Sequence, residues 1–436
     1  MYVTQVHLEN LKSFKELDFD LQRPDGTFAG WTVFLGGNSS GKSTLLKGIA
    51  LALLGPEAGR QLMGQTLGWI HKSEKRAVAS ATLTWDNDHD SFKKGGKQPG
   101  ADFPAAVRWF SEKDGEIPQF RAIDQRTGSG PQRGPWNPNS VGWFCAGYGP
   151  MRRLTGSSSE SMRYAVSKEI DSRFVTLFRE DAALSESEEW LKKMHSRVLE
   201  SPHSDQAQLL EGVKSLLGDG LLPHGMTISR ITVDHVFVSN HAGLELPMRD
   251  ISDGCRSIYA TILDLIHGLY EVYGVENLFA TDAQGKPYVT RPGVVIIDEI
   301  EAHLHPQWQK DIPYWLKSHF PFIQFLVSSH SPLIAQAADP NGLFVLPLQD
   351  EQGRAPRKLS EKEFEKIRWG RAEKTLLGMA FGLKTTRSKW ATQQIDRWKK
   401  LDAKKHAGVS LKKEEAAEYK SLKKQMEFAL EPLNEL

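Results

Sequence analysis

The sequence is poor in the features that tie a chain to an oxidising compartment or to a membrane. Its 436 residues include only two cysteines, Cys145 and Cys255, which lie far apart and match no metal-ligand spacing. Both thiols are expected to be reduced, as in the cytoplasm. The segment Met1 to Phe14 has no cationic head followed by an apolar run, and no later segment approaches the roughly 18 apolar residues that span a bilayer. These absences predict a cytoplasmic protein that is neither secreted nor inserted in a membrane.

The sequence also lacks a charge excess, an internal repeat and a sustained heptad pattern. Because the formal net charge is only +1, contact with DNA or RNA must be argued from local clusters of basic residues. With 39% apolar residues the chain can still bury a large core, and its length favours two or three structural units.

The strongest positive signal is the stretch GGNSSGKST between two apolar runs, Trp31 to Leu35 and Leu45 to Leu54. It fits G-x-x-x-x-G-K-[ST], in which glycines bring backbone N–H groups close to phosphates and the following helix adds its positive dipole end. The pattern sets Lys42 at the β- and γ-phosphates and the Ser43 hydroxyl at Mg²⁺. The predicted triphosphate-binding residues are Gly36, Gly37, Asn38, Ser39, Ser40, Gly41, Lys42, Ser43 and Thr44.

A second signal is the acidic pair that ends the apolar strand Val294 to Ile297. Asp298 is suited to hold Mg²⁺, and Glu299 can accept a proton from the water that attacks the γ-phosphate. An acidic pair at a strand end is also a common turn, but an independent phosphate loop in the same chain favours the catalytic interpretation. The two motifs together predict ATP binding and hydrolysis.

The order of apolar runs predicts an α/β fold with a mainly parallel core sheet. Buried strands are expected at Trp31 to Leu35, Val294 to Ile297 and Phe322 to Val327, and the helix after the phosphate loop is expected to end near Leu54, before Gly55 and Pro56. Short strands between Ala79 and Tyr148, including Val141 to Ala146, predict an antiparallel β lobe.

Four regions follow from these patterns. Residues 1–160 are expected to form an N-terminal ATPase lobe with the phosphate loop and the β lobe, and residues 161–225 a helical insertion. Residues 226–350 are expected to form the C-terminal ATPase lobe. Residues 351–436 are predicted to be a helical, basic, partner-binding tail, in which thirteen Lys/Arg stand against seven Asp/Glu between Lys384 and Glu431.

Further motifs carry a resemblance to a known family. They are ENLKSFK near the start, ISDGCRS before a long helix, DEIEAHLHP at the acidic pair and SSHSP after the strand Phe322 to Val327. Their order resembles the RecF/SMC branch of ATP-binding cassette (ABC) ATPases, and DEIEAHLHP is similar to the OLD-like ATPases of bacterial defence. The chain is too short between the phosphate loop and ISDGCRS for the long coiled coil of condensin-like proteins.

The resemblance implies roles for residues outside the phosphate loop. Ser252 and Gly254 would grip the γ-phosphate bound by another protomer, so that two copies sandwich ATP in a homodimer or larger homo-oligomer. His330 would be the switch histidine, which senses the γ-phosphate and positions water. Asp253 and Cys255 depart from the family pattern, and ISDGC is also readable as a plain helix cap, as His330 is as a structural histidine.

Other positions stay open between two interpretations. Lys12 to Lys15 lie near the nucleotide in this family, but they are equally readable as a solvated hairpin turn. No glutamine can be assigned as the usual Mg²⁺ ligand after Tyr148, and Arg152 and Arg153 either contact phosphate or are surface charges. A metal site at His303 and His305 is disfavoured, because no further ligand accompanies them.

The stretches YGPMRR and MAFGLKTTRS are similar to PtuA, the ATPase subunit of Septu-type and retron defence systems. That resemblance implies that ATP-driven dimerisation controls a separate HNH nuclease during anti-phage defence; neither a TOPRIM nor an HNH pattern is seen in this chain. The alternative is a RecF-like DNA-binding ATPase of repair, whose phosphate contacts would be Lys399, Lys400, Lys404, Lys405, Lys412 and Lys413. A transporter motor is disfavoured by the long spacing between Ser252 and Asp298.

Overall fold

The computed structural model describes residues 1–64, 67–93, 99, 102–111, 116–124, 129–152, 170–180, 182–347, 357–378 and 380–429. The chain forms two compact units, Met1–Thr375 and Leu376–Leu436. The region boundaries expected after residues 160 and 350, and also Arg153, lie outside the described residues.

The strands are β1 (Tyr2–Leu11), β2 (Phe14–Asp20), β3 (Gly30–Leu35), β4 (Arg76–Thr84), β5 (Phe103–Phe110), β6 (Gln119–Ala122), β7 (Cys145–Tyr148), β8 (Thr227–Ile231), β9 (Val236–Ser239), β10 (Glu245–Pro247), β11 (Phe279–Thr281), β12 (Pro287–Val289), β13 (Gly293–Ile297), β14 (Ile323–Ser329), β15 (Leu343–Val345) and β16 (Arg357–Lys358).

The helices are α1 (Lys42–Met63), α2 (Gly130–Arg133), α3 (Val175–Phe178), α4 (Ser185–Glu200), α5 (Asp205–Gly218), α6 (Asp253–Tyr273), α7 (Pro306–His319), α8 (Pro332–Gln336), α9 (Glu361–Arg368), α10 (Ala372–Leu376), α11 (Lys389–His406) and α12 (Lys413–Ala429). Short 3₁₀ turns occur at Ile170–Phe174, Pro223–Gly225 and Met248–Asp250.

The centre of the first unit is a six-stranded sheet in the order β16-β15-β3-β14-β13-β7. The strands from β15 to β7 pair in parallel, and β16 is an antiparallel edge strand. Every residue of β13 and β14 is buried; β13 is accordingly apolar apart from its first residue, Gly293, and β14 is apolar apart from Gln324, Ser328 and Ser329. Because the carboxyl ends of parallel strands meet at one edge of a sheet, the segments after β3, β7, β13 and β14 converge there.

The strand β7 corrects one expectation. Val141 to Ala146 is predicted to belong to the antiparallel β lobe, but Val141 is exposed and the strand is Cys145–Tyr148, which pairs in parallel with β13. The four buried residues of β7 are too few to distinguish the two sheets by pattern alone.

The antiparallel lobe is a five-stranded sheet in the order β2-β1-β4-β5-β6. Alternating burial along β4 shows that one face of this sheet is covered. The side chain of Gln324 on β14 joins the two large sheets, because its amide donates to the Val3 carbonyl and accepts from the Val3 N–H, both at 2.8 Å. Gln324 is completely buried, so these two bonds replace the water that neither group can reach.

The helix α1 packs between the two large sheets, and one hydrophobic core contains residues of both sheets and of the helix. The helical backbone is interrupted after Leu54, where the sequence predicts a stop, but a second helical segment follows. Gly55 has a positive φ of 76° and breaks the helical backbone, but the helix resumes and continues to Met63. Pro56 has no N–H to donate to the Ala52 carbonyl four residues earlier, and the indole Nε1 of Trp136 donates to that oxygen instead at 2.9 Å.

The helical insertion packs on α6 of the first unit. Trp190 on α4 stacks on His267 with ring centroids 4.5 Å apart, and the Ser187 hydroxyl donates to Asp264. Small antiparallel sheets, β10-β9-β8 and β11-β12, flank this region. The architecture expected from the sequence is therefore confirmed: a mainly parallel core sheet, an antiparallel β lobe, a helical insertion and C-terminal helices.

The second unit contains α11 and α12, whose facing sides are joined by charged pairs. Arg397 binds Glu418 through two nitrogens at 3.0 and 2.9 Å, and Lys404 lies 2.7 Å from Glu415. The unit is basic: residues 376–436 hold thirteen Lys/Arg and eight Asp/Glu, a net charge of +5, against 42 and 46 in the rest of the chain, a net charge of −4. None of the helices in the described ranges is long and apolar enough to cross a bilayer.

Candidate functional site

The phosphate loop connects β3 to α1, as the sequence predicts, and its two terminal glycines are required by close packing. A Cβ on Gly36 would lie 2.3 Å from the Ser40 hydroxyl oxygen. Gly41 has φ +95° and precedes the first helical residue, and a Cβ there would lie 2.5 Å from the ring of Phe14. The hydroxyl of Ser40 is buried and has no hydrogen-bond partner in the described part of the chain.

Lys42 lies inside the loop rather than in solvent. Its side chain is 5% exposed, and its ammonium donates to the carbonyls of Gly36 and Gly37, each at 3.0 Å. Burial lowers the pKa of Lys42, while the nearby carboxylates of Asp298, Glu299 and Glu301 act in the opposite direction. The cation and the acidic pair, 256 positions apart in sequence, are therefore neighbours in the fold.

Other loop residues differ in how far they are exposed. Ser43 and Thr44, in the first turn of α1, are half-buried, as are Gly36 and Gly37, whereas Asn38 and Ser39 are exposed at the loop tip. Ser39 has a positive φ of 62°, so the chain turns sharply there.

The acidic pair begins where β13 ends. Asp298 is 2% exposed and its Oδ1 accepts from the Ser328 hydroxyl on β14 at 2.5 Å. The same hydroxyl oxygen accepts the backbone N–H of Glu299 at 2.8 Å. Ser328 thus orients the carboxylate of one acidic residue and the backbone of the next. Glu299 has φ +47°, a left-handed conformation that is uncommon outside glycine and asparagine.

His330 follows β14 and faces the acidic pair. Its Nε2 lies 4.0 Å from Glu299 Oε1, and its backbone N–H donates to the carboxylate of Glu301. Burial lowers the pKa of His330, Lys42 acts in the same direction, and the carboxylates of Glu301, Glu299 and Asp298 oppose the shift. The imidazole is accordingly neutral at neutral pH, and one of its nitrogens can accept a hydrogen bond.

Sequence reasoning missed Ser328 and left Arg152 open between a phosphate contact and a surface charge. Arg152 is only 1% exposed, so it is not a surface charge, and it donates to backbone carbonyls of the Asp298–Ile300 turn. Burial lowers its pKa to about 10, with Asp298, Glu301 and Glu299 opposing the shift, so the guanidinium stays charged. The available signal for Ser328 was the pair of serines, Ser328 and Ser329, that ends the fully buried strand β14.

The hairpin turn between β1 and β2 touches the phosphate loop through Phe14, which packs on Gly41. Lys12 extends over the ring of Trp69, with its Nζ 4.4 Å from the ring centroid. Burial and the neighbouring Lys47 lower the pKa of Lys12. Lys12, Ser13 and Lys15 are exposed, and Phe14 packs on the phosphate loop; proximity of Lys12 to Lys15 to a nucleotide stays a prediction.

The serine-glycine loop, Ser252 to Gly254, lies at the start of α6. Ser252 is exposed and occupies the N-cap position, but its hydroxyl donates to the Cys255 sulfur at 2.9 Å rather than to the helix backbone. Gly254 is buried against the next loop, because a Cβ there would lie 2.3 Å from the His303 carbonyl oxygen. The described contacts of Ser252 and Gly254 are thus with Cys255 and His303, not with the phosphate loop of their own chain.

His303 and His305 have structural positions. His303 has φ +66°, and His305 caps α7, its Nδ1 accepting from the Gln307 N–H at 3.3 Å. Over the described residues, no group of three His, Cys, Asp or Glu side chains is arranged to hold a metal ion.

Parts of this chain are similar to two protein families and to several bacterial defence proteins. Residues 149–335 match the family described as "AAA domain, putative AbiEii toxin, Type IV TA system", and residues 5–117 match a second AAA domain family. The chain is 26% identical over 332 residues to the Septu protein PtuA of Bacillus mycoides, and 30% identical over 184 residues to that of Bacillus thuringiensis. It is 31% identical over 134 residues to the Retron Vc95 probable ATPase of Vibrio cholerae.

The chain is a homologue of PtuA and the retron ATPases. The resemblance stated from its motifs is therefore confirmed. The three alignments cover 76%, 42% and 30% of this chain, and 38%, 44% and 23% of the respective relatives. The chain thus spans less than half the length of the relatives it matches.

Solved structures of similar shape include the SMC head domain of Thermotoga maritima and the recombination mediator RecF. The first is 13% identical, covers 83% of the chain and all of the solved chain, and has a TM-score of 0.41. The second is 11% identical, covers 82% of the chain and 98% of the solved chain, and has a TM-score of 0.42. Likeness at this level carries no conclusion about activity.

Proposed function

We propose that this homologue of PtuA is an ATPase that binds ATP with Mg²⁺, dimerises around it and thereby regulates a partner nuclease in anti-phage defence. The observation that carries the catalytic part is the convergence of Lys42, Asp298, Glu299 and His330 at one edge of the parallel sheet. Phosphoryl transfer to water uses a cation at the phosphates, a carboxylate that holds Mg²⁺ and a group that positions or deprotonates the water, and these side chains can supply all three.

The residues present fit a Mg²⁺-bound triphosphate. The buried Ser40 hydroxyl has no partner in the described part of the chain, the glycines permit close approach of backbone N–H groups, and α1 directs its N-terminus at the loop. In the proposed complex Lys42 exchanges the carbonyls of Gly36 and Gly37 for phosphate oxygens. The Ser43 hydroxyl and the Asp298 carboxylate are the proposed metal ligands, and the ion would offset negative charge on the β- and γ-phosphates.

In the proposed reaction Glu299 accepts the proton of the attacking water. His330, neutral at neutral pH, holds that water or a γ-phosphate oxygen by a hydrogen bond. Glu299 Oε1 and His330 Nε2 lie 4.0 Å apart, and both side chains are partly exposed. A water molecule can therefore reach both groups. Attack, proton transfer and γ-phosphate sensing are thus assigned to adjacent groups.

The dimer proposal rests on the serine-glycine loop. The N-cap residue Ser252 donates its hydroxyl to the Cys255 sulfur and caps no backbone N–H of α6, so the positive dipole end of this 21-residue helix has no capping side chain from Ser252. Ser252 itself is exposed. In the proposed dimer, the positive dipole end of α6 attracts the γ-phosphate held by a second copy.

Two variants test the catalytic proposal. Lys42→Ala should abolish nucleotide binding, measured by calorimetry, because it removes the ammonium nearest the phosphates. Glu299→Gln should retain binding and slow hydrolysis by roughly 10²- to 10⁴-fold, the usual contribution of a positioned base. Retained binding by Lys42→Ala, or unchanged turnover by Glu299→Gln, would contradict the assigned roles.

Mixing two inactive variants tests the shared site. A Lys42→Ala chain keeps its serine-glycine loop, and a Ser252→Arg chain keeps its phosphate loop, so a mixed dimer regains one intact composite site. ATP hydrolysis should therefore reappear on mixing, and ATP with Glu299→Gln should accumulate a dimer by light scattering, whereas ADP should not. Failure of mixing to restore any turnover would refute the sandwich.

The nuclease proposal comes from homology to PtuA and the retron ATPases. It predicts an HNH-type nuclease in a neighbouring reading frame and loss of phage protection in a Lys42→Ala strain, scored by plaque counts. Protection that persists in that strain would contradict control by ATP.

Direct binding of DNA or RNA is a second candidate function, favoured by the charge of the second unit. In α11 and α12, the carboxylates of Glu415 and Glu418 are engaged by Lys404 and Arg397, while Lys399, Lys400 and Lys413 are exposed. Affinity should fall steeply with salt, with a log–log slope near −0.9 per phosphate contacted on duplex DNA. Lys399→Glu/Lys400→Glu should weaken binding in fluorescence anisotropy, and Lys72→Glu/Lys310→Glu in the first unit is the matched control.

A further inference from the structure

We propose that Arg152 is a positioning residue for the general base: its guanidinium holds the carbonyls of the Asp298–Ile300 turn and so fixes the direction of the Glu299 side chain. The inference rests on the proposed hydrolysis by Glu299. It assigns a function to the segment after β7, where the family's glutamine ligand has no counterpart in this sequence.

The hydrogen bonds of Arg152 define a clamp. Its Nη1 donates to the carbonyls of Gly149 and Asp298, both at 2.8 Å, and its Nη2 donates to those of Glu299 and Ile300 at 3.2 and 3.3 Å. The side chain is 1% exposed, so water does not compete for these acceptors. A planar guanidinium with five N–H groups in fixed directions can serve three consecutive carbonyls, which neither a strand ladder nor a helix does.

The turn needs such support because of its backbone. Glu299 has φ +47°, and a residue with a side chain keeps such a conformation only when its surroundings enforce it. Two side chains do so here. The Ser328 hydroxyl accepts the N–H of Glu299 at 2.8 Å, and Arg152 donates to its carbonyl, so the peptide groups on both sides of this residue are held.

The conformation of the turn determines where the carboxylate points. If Glu299 relaxed to an extended conformation, its side chain would leave the space that it shares with His330, whose Nε2 is 4.0 Å from Glu299 Oε1. Nucleotide binding depends mainly on the phosphate loop, which accepts none of the four Arg152 hydrogen bonds, and the Asp298 carboxylate keeps its bond from Ser328. A weakened clamp should therefore lower kcat and leave the affinity for ATP almost unchanged.

Arg152→Lys separates the clamp from its charge, because lysine keeps the cation but has one nitrogen in place of the fork. We expect kcat to fall at least tenfold, with the Kd for ATP within threefold of wild type. The matched control is Arg133→Lys in the β lobe, where a guanidinium that is also buried donates to the Lys93 carbonyl. This control should leave kcat within twofold of wild type.

A double-mutant cycle with Glu299→Gln gives the readout that a merely structural role would not produce. If Arg152 acts only through Glu299, Arg152→Lys should change the residual rate of Glu299→Gln by less than twofold. Arg152→Gln, whose amide can still donate to some of these carbonyls, should behave in the same way and serves as the second variant if Arg152→Lys fails to fold.

Each remaining outcome overturns the inference. Wild-type kcat in Arg152→Lys, or a multiplicative loss in the double variant, would overturn the clamp while leaving the proposed ATPase intact. No turnover by the wild-type chain, or turnover unaffected by Glu299→Gln, would overturn the proposed function and the clamp with it.

Discussion

Gly254→Ala tests whether the serine-glycine loop must touch the loop that follows the acidic pair. The new Cβ would lie 2.3 Å from the His303 carbonyl oxygen, whereas ordinary contact begins at 3.4 Å, so the two loops must separate by about 1 Å. Such overpacking costs about 1–3 kcal/mol. His303 already has φ +66°, which leaves this carbonyl little freedom to turn away.

The movement of the two loops should also displace the catalytic side chains. The displaced loop includes Glu301, whose carboxylate accepts the backbone N–H of His330. We therefore expect the free energy of unfolding to fall by about 1–3 kcal/mol and ATP turnover to fall by about tenfold or more, equivalent to about 1.4 kcal/mol in the barrier. Urea denaturation followed by circular dichroism measures the first quantity, and steady-state phosphate release measures the second.

Gly218→Ala at the end of α5 is the matched control. A Cβ there would meet its nearest neighbour, a Thr227 methyl group, at 3.6 Å, so alanine fits without displacement. Alanine is favoured over glycine in a helix by about 0.5–1 kcal/mol, and this variant should be at least as stable as wild type, with unchanged turnover. Wild-type stability and turnover in Gly254→Ala would refute the reasoning from this contact.

Other variants probe separate features. Because burial and Lys42 lower the pKa of His330, turnover should stay constant down to about pH 6.5 and fall only at lower pH as the imidazole is protonated; His330→Asn should remove this acid limb of the pH–rate profile. Trp136→Phe leaves the Ala52 carbonyl at the break in α1 without its donor and should cost about 1–3 kcal/mol of stability by urea denaturation. Gln324→Leu leaves both the N–H and the C=O of Val3 without a hydrogen-bond partner, so it should lower the free energy of unfolding more than Trp136→Phe does. If either variant were as stable as wild type, water would have to replace the lost bond.

The parallel core could be predicted because both its signals are local. A strand buried on both faces reads as an apolar run, and the glycine-lysine pattern fixes the loop that follows β3. The interruption of α1 at Gly55 could be predicted, but its continuation to Met63 could not, since Gly55 and Pro56 normally end a helix. The compensating donor, Trp136, lies eighty residues further along the chain and is visible only in the fold.

The residues of the candidate site also fall into those that could be predicted from the sequence and those that could not. Lys42, Asp298, Glu299 and His330 belong to short motifs at strand ends, and their proximity follows from parallel pairing. Arg152 could not be assigned, because a lone arginine is usually exposed and its acceptors are backbone carbonyls that leave no trace in sequence. The contact of Gly254 with His303 is likewise a property of two loops that are distant in sequence.

The unequal charge of the two units has a practical consequence. With +5 on residues 376–436 and −4 on the remainder, the near-zero total conceals a strong separation of charge along the chain. Retention on a cation-exchange column near neutral pH should be governed by the last 61 residues, so removing them by limited proteolysis would convert a chain that binds the resin into one that flows through.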